Sequence, residues 1–369
     1  MICINHPWEG IYVKNRLFFL FFLLLLAAGF GCSDKSSGPD NKPEPYYKLL
    51  YSYVQPPVSV LTFNTRTGEI LDSVWYPGEP YRDLAFSHDG EYTYATGRVT
   101  RIIRESTGDT VASDWEHRGY EVVLSPDEQY LVVKASQEIW VLRVPSLSVV
   151  YHKAITYFWG RFHPTKQLLY INYGIPGYGI DTLLYVLDLS ATPPVESSVA
   201  LSDSLGGHIP AGPMELSGDG KWMLMIYYNG LFLVDTDSLK VRKVMKSLHF
   251  ADANYTDFTV HPDGKRAFLS YYDPWDNPNI GGLDIFDFSN QTLTNYIDHT
   301  TVPGLSRPFR PVFGRFTPDG KELIGIVYET FMCCEIFRID LATKAISLFT
   351  ARRGEYPRVA KINPKPFYH

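Results

Sequence analysis

The chain has 369 residues, with 40 acidic against 34 basic side chains and a formal net charge of −6, which argues against a dedicated nucleic-acid binder. Charged residues make up 20% and apolar ones 45%, so the chain buries a sizeable core and is no disordered tail. Its 26 Tyr and 22 Phe, with 28 Gly and 26 Pro spread throughout, favour many short strands and turns over long helices.

Lys14 and Arg16 precede an apolar run from Leu17 to Gly31. A basic stretch followed by so short a run is the pattern of an export signal, and it falls below the roughly 20 residues of a membrane span. A buried core helix is a poor reading, because nothing at 1–16 offers it a partner surface. The run closes on Ala27, Ala28, Gly29, Phe30, Gly31 and Cys32. Small residues ahead of a cysteine resemble the lipobox of bacterial lipoproteins, in which that cysteine is lipidated and becomes the new N-terminus. Gly29 stands where Leu is usual and Phe30 is bulky for its place, so ordinary cleavage and an uncleaved anchor stay open as alternatives. From Ser33 to Pro45 only the prolines are apolar, which makes a flexible tether. The resemblance implies a signal peptide over 1–31, a lipid-anchored linker over 32–46 and lipidation of Cys32. It also implies a membrane as partner and the bacterial cell envelope as location. Ser33 after the cysteine favours the outer membrane by the enterobacterial sorting rule.

The rest of the chain repeats. One turn signature recurs as Phe86-Ser-His-Asp-Gly90, Leu124-Ser-Pro-Asp-Glu128, Phe162-His-Pro-Thr-Lys166 and Leu216-Ser-Gly-Asp-Gly220. It continues as Val260-His-Pro-Asp-Gly264, Phe316-Thr-Pro-Asp-Gly320 and a degraded Ile362-Asn-Pro-Lys365. Asp and Gly suit a tight turn, one by accepting backbone hydrogen bonds and the other by tolerating φ > 0. Between these copies lie alternating strands that end at Asn64, Arg104, Arg143, Asp188, Asp235, Asp287 and Asp340, 39 to 53 residues apart. Seven copies at that period predict an all-β fold, a seven-bladed β-propeller over 47–369 with four strands per blade. The phrases Ser125-Pro-Asp-Glu-Gln-Tyr-Leu-Val-Val133 and His261-Pro-Asp-Gly-Lys265 resemble the YVTN-type and WD-like propellers of bacterial envelopes, lactonase-like and quinoprotein-amine-dehydrogenase β-chain-like groups among them. That likeness implies the fold and hardly any activity.

The predicted inner strands start near Arg82, Gly119, Phe158, Pro213, Thr256, Val312 and Pro357. Three strands, over 47–54, 58–64 and 69–75, precede the first and are expected to complete the blade begun at Pro357, closing the ring. Alternation sends one set of inner-strand residues between blades and the other into the channel. The channel set has an outer layer, Asp83, Glu121, Trp159, Pro213, Asp257, Phe313 and Val359. Its deeper layer is Ala85, Val123, Arg161, Glu215, Thr259, Arg315 and Lys361. The three outer acids are expected to repel one another and to be relieved by Arg82, Arg118 and Arg358, or by a cationic ligand. Two readings stay open: a polar ligand site at the mouth using Asp83, Glu121, Asp257, Arg161, Glu215 and Arg315, or a water-filled channel whose charges neutralise one another.

The longest predicted loops, 174–180, 201–212, 273–282 and 298–311, link second to third strands or blade to blade and fall on one face. Binding tends to reside in long loops on rigid scaffolds. These carry Tyr178, His208, Trp275, Arg307 and Arg310 as candidates. Asp273 and Asp276 are weak calcium candidates without the spacing of an EF-hand loop, and no other cofactor is expected. His88, His163 and His261 read as structural turn residues. Cys333 and Cys334 point to opposite faces of one strand, as one buried and one outward thiol or as a strained vicinal disulfide. There is no nucleophile elbow, HExxH or phosphate loop. The expectation is a monomeric, non-enzymatic envelope lipoprotein that binds a protein, peptide or glycan on its loop face. The alternative is a hydrolase or lactonase working at the channel mouth, with a quinoprotein partner subunit as a third reading.

Overall fold

The computed structural model describes residues 47–53, 59–75, 81–155, 158–173, 182–201, 212–227, 230–249, 254–272, 281–298, 311–329, 333–350 and 357–366. Within these, the strands form seven four-stranded antiparallel sheets and there is no helix. We number the blades by their innermost strands. These are Asp83–Phe86, Glu121–Leu124, Phe158–Phe162, Met214–Leu216, Asn254–Val260, Pro311–Phe316 and Pro357–Ile362. Each inner strand touches those of the blades before and after it, and the contact of Pro357–Ile362 with Asp83–Phe86 completes the circle.

The seventh blade is composite. Its inner strand Pro357–Ile362 pairs with Lys48–Tyr53, which pairs in turn with Ser59–Asn64 and then Ile70–Trp75. Leu49 lies opposite Ile362, and Tyr51 opposite Ala360. Asn363 and Lys48 add a further backbone hydrogen bond of 2.9 Å. Leu49 and Phe63 are buried against Ile324, Ile326 and Ile336 of the sixth blade.

Burial is deepest in the second strands, next to the channel-lining inner ones, and falls outward from there, and the sequence follows it. The second strand of blade two, Tyr130–Lys134, reads YLVVK and is buried on both faces because a blade is sandwiched between its neighbours. The outermost strands are wet: Val195–Leu201 and Lys240–Lys246 are mostly exposed, the latter reading KVRKVMK. Such free edges invite pairing with another chain, and lysines discourage it. In five blades a bulge also interrupts the pairing of third with fourth strand. Each bulge adds twist to an edge that is otherwise open.

The recurring turn between first and second strands works in two ways. In four blades its hydroxyl, from Ser87, Ser125, Ser217 or Thr317, donates to the Asp two residues on at 2.6–2.7 Å. The same oxygen accepts an N–H five residues on, at 2.9–3.1 Å, closing the turn on itself. In the other three the larger side chain reaches the next blade instead. His261 Nε2 donates to the Gly320 carbonyl at 2.9 Å and Asn363 Nδ2 to that of Gly90 at 3.1 Å. The His163 ring lies so close to Gly220, at φ +71°, that a Cβ there would come within 2.3 Å of it. Burial, then the nearby Lys166 charge, lowers the His163 pKa, and its Nδ1 accepts the N–H groups of Thr165 and Lys166 at 3.1 Å. His163 and His261 are therefore stitches between blades.

Candidate functional site

Inner-strand alternation places the set that does not carry the channel charges between blades. Leu84, Val122, Met214 and Phe258 are buried there, with Phe162, Leu216 and Phe316 nearly so. All seven residues of the deeper channel layer line one central cavity of about 530 Å³. It reaches the face of the first-to-second-strand turns at Ser87, Pro262, Pro318 and Pro364. Of the outer layer, Glu121 alone among the described residues joins the lining.

The charges on this wall differ from the expected arrangement. Asp83, Glu121 and Asp257 do not form a cluster relieved by Arg82 and Arg118, and the Arg358 side chain lies outside the described residues. Each acid is instead taken by a base of the deeper layer, generally from another blade. Arg161 of blade three sits between Glu121 of blade two, at 2.9 Å, and Glu215 of blade four, at 2.8 Å. Lys134 adds a second contact to Glu121 at 3.3 Å and lies 5.2 Å from the centroid of the Trp159 ring. Arg315 Nη1 meets Asp257 at 2.9 Å, and Lys361 Nζ meets Asp83 at 3.4 Å. The reason is reach: an arginine or lysine stem spans the two layers that strand alternation treats as separate.

These contacts set the protonation states. Burial alone would raise the Glu121 pKa, but Arg161 and then Lys134 outweigh it and bring it down to about 2. Burial also works against charge on Arg161 and Arg315; their acidic partners prevail, and both pKa values rise. Asp83 goes the other way, since burial raises its pKa more than Lys361 lowers it. Its Oδ2 accepts the Val122 N–H at 2.9 Å, so it clamps blade one to blade two. A carboxylate held ionised near pH 2 is poorly matched to proton transfer at neutral pH. Among the described residues the channel is a compensated ion-pair network, and no three His, Cys, Asp or Glu side chains converge to hold a metal.

A second cavity, of about 800 Å³, opens on the opposite face between blades one and two. Short connections build it: Gly97 and Arg98, the run Trp115 to Tyr120, and Ala135 and Ser136. Trp115 is 63% exposed and Tyr120 46%, and among the described residues no other Phe, Tyr or Trp side chain is so exposed. Arg82 lies over the Tyr120 ring at 4.3 Å from its centroid. Trp140 at the cavity wall stacks on His152 and meets the edge of His117. His117 Nδ1 donates to Asp114 Oδ2 at 2.6 Å, and His152 Nε2 to Glu138 at 3.3 Å. Burial raises the Asp114 pKa, but the His117 contact and two backbone N–H groups lower it more. Arg98, Arg118, Glu116 and Glu138 complete a lining that mixes charge with open ring faces.

A third feature is a buried hub in blade five. Asp284, fully buried, accepts hydrogen bonds from His249 Nε2 at 2.9 Å, Tyr255 Oη at 2.7 Å and Asn295 Nδ2 at 3.1 Å. His249 stacks on Tyr271 with centroids 3.6 Å apart. Burial, followed by the Asp284 charge, raises the Tyr255 and Tyr271 pKa values. Fully satisfied, the hub ties the connection from blade four onto blade five.

Cys32, Tyr178, His208, Trp275, Arg307 and Arg310, with the calcium candidates Asp273 and Asp276, lie outside the described residues. So do the side chains of Cys333 and Cys334, whose backbone pairs with Glu329 and Tyr328. Sequence reasoning favoured the longest loops and passed over the shorter connection Trp115-Glu-His-Arg-Gly-Tyr120, whose density of rings and charges is the signal that finds the cavity.

No protein-family profile matches the chain, and no curated protein matches it in sequence. Solved structures do. A putative 6-phosphogluconolactonase from Bacteroides uniformis superposes with a TM-score of 0.60 at 15% identity, over 86% of this chain and 100% of that one. One from Bacteroides fragilis gives 0.58 at 15%, over 89% and 99%. The β-propeller domain of Cps50 (Swd1) from Myceliophteria thermophila gives 0.59 at 11%, over 74% and 88%. At such identities the likeness carries shape alone, and the shape is that of a seven-bladed β-propeller.

Proposed function

We propose that the protein is a lipid-anchored propeller of the bacterial cell envelope that binds a protein, peptide or glycan on its loop face, in the cavity between blades one and two. The observation that carries this reading is the pairing of exposed Trp115 and Tyr120 with guanidinium groups in one concave site of about 800 Å³. Ligand sites are commonly concave, of roughly 300–1,000 Å³, and lined by rings with a few polar groups. The central channel supports binding less well, because its charges already satisfy one another.

Screening the protein on peptide and glycan arrays tests the site. Trp115→Ala/Tyr120→Ala is expected to lose the wild-type ligand, while Glu215→Gln in the channel keeps it. A ligand indifferent to the double change and sensitive to the channel change would move the site to the axis. A second reading, hydrolysis of a lactone at the channel mouth, draws only on the names of the two Bacteroides propellers; turnover of a lactone panel would establish it.

Anchoring rests on the lipobox resemblance at Cys32. Stable attachment needs buried acyl chains. Cys32→Ser is expected to move the protein from the membrane pellet to the soluble fraction and to abolish palmitate labelling. Unchanged partitioning, with no label on the wild type, would remove the lipoprotein assignment.

A further inference from the structure

We infer that the loop-face cavity between blades one and two takes a uronic acid within a glycan; this deepens the proposed binding reading and rests on it. The first observation is the exposed ring faces. Trp115 and Tyr120 are 63% and 46% exposed, and each carries a guanidinium over one ring face, Arg101 at 5.8 Å and Arg82 at 4.3 Å from the centroid, so a ligand stacks on what each ring leaves uncovered. A packed aromatic needs no ligand, whereas an exposed pair in a concavity leaves apolar area to be covered. The C–H face of a pyranose ring is flat, apolar and weakly positive, which complements the negative face of an aromatic ring.

The second observation is the charge pattern. Arg82, Arg98 and Arg118 all line the cavity. Arg118 is exposed and has no acidic partner among the described residues. A guanidinium in such a place suits bidentate capture of a carboxylate. Arg82, 4.3 Å over the Tyr120 ring, sets a cation beside a stacking surface, so one ligand can meet both at once.

The third observation separates ligand classes. Glu116 and Glu138 line the same cavity. A nucleotide or other polyphosphate would bring its charges against these two carboxylates. A sugar ring bearing one carboxylate and several hydroxyl groups uses both signs, because hydroxyls donate to carboxylates while arginine takes the acid. A neutral sugar would leave Arg118 without a use. An acidic peptide satisfies the arginines but offers no flat apolar ring face, and it is an outcome of the test.

Calorimetry on the full-length protein decides. The probes are tetrasaccharides of galacturonate, glucuronate and mannuronate, each beside its methyl ester, which keeps the ring and removes the charge. At least one acid should bind, and its ester should bind about tenfold or more weakly, the weight of one charge-assisted hydrogen bond. Arg118→Gln should bring the acid down to its ester's affinity and leave the ester unchanged. Arg118→Lys should fall between, because it keeps charge without the fork. Trp115→Ala should weaken acid and ester alike. Raising salt should weaken only the acid. Equal affinity for acid and ester overturns the ligand class. So does the failure of every acid to bind while an array ligand, a peptide for instance, still depends on Trp115. If nothing that binds the protein responds to Trp115→Ala or Arg118→Gln, the cavity itself is not the site.

Discussion

Deleting residues 47–75 will abolish the cooperative thermal transition of the ring. The deletion removes three of the four strands of the seventh blade and leaves Pro357–Ile362 unpaired. It also strips Leu49 and Phe63, both nearly inaccessible, from the packing against Ile324, Ile326 and Ile336. Losing two such side chains costs about 5–10 kcal/mol, comparable to the whole stability of an ordinary domain at about 5–15 kcal/mol. The sheet edge of Pro357–Ile362 is opened and the facing sides of blades six and one are bared, so the product should aggregate. The control is a circular permutant that begins at Tyr81 and carries residues 47–75 after residue 366. It retains every strand pair and should melt like the wild type. A deletion variant with a native transition would contradict closure by the N-terminal strands.

Arg161→Met should destabilise the protein by about 3–5 kcal/mol, because it strands Glu121 and Glu215 as partly buried charges without their shared cation. For a ring of this size that is a fall in Tm of about 4–7 °C by calorimetry. Neutralising the whole set, as Glu121→Gln/Arg161→Met/Glu215→Gln, should restore most of the loss, since replacing all partners of a buried pair is often near neutral. The pH dependence gives an independent check. Glu121 titrates at about 2 in the folded chain against an ordinary 4.5. Its native state therefore binds fewer protons than the unfolded state in that interval, and its contribution is present above pH 4.5 and lost as pH falls toward 2. The gap between wild type and Arg161→Met should close over that window. A gap that persists at pH 2 would assign the loss to packing of the arginine stem.

Much of this architecture was legible because a propeller writes one rule seven times. The turn signature from Phe86-Ser87 onward marks where each inner strand ends, and counting forward and back from it gives the composite blade and the deeper channel layer. The partners across blades were not legible. Arg161 meets groups 40 and 54 residues away, and that choice depends on how neighbouring inner strands are offset around the axis, which no strand's own alternation records. Asp284 carried a readable hint, an acid between Leu283 and Ile285 in an apolar strand, since a buried carboxylate there requires donors. Its donors come from both sides: His249 from the preceding connection, and Tyr255 and Asn295 from the first and fourth strands of the same sheet. Their identity needed the fold.

The pairing of Lys48–Tyr53 with Pro357–Ile362 also bears on time. The first strands of the ring to be made are the last to find a place, because their inner neighbour is synthesised at the far end of the chain. At roughly 5–20 residues per second, residues 47–75 wait on the order of tens of seconds with unpaired edges. Joining ends so far apart carries the largest loop-closure entropy in the molecule, so closure rather than blade formation should limit the folding rate. Under the proposed export across a membrane that delay is useful: six blades can begin to collapse, but the ring does not close until the final strand arrives.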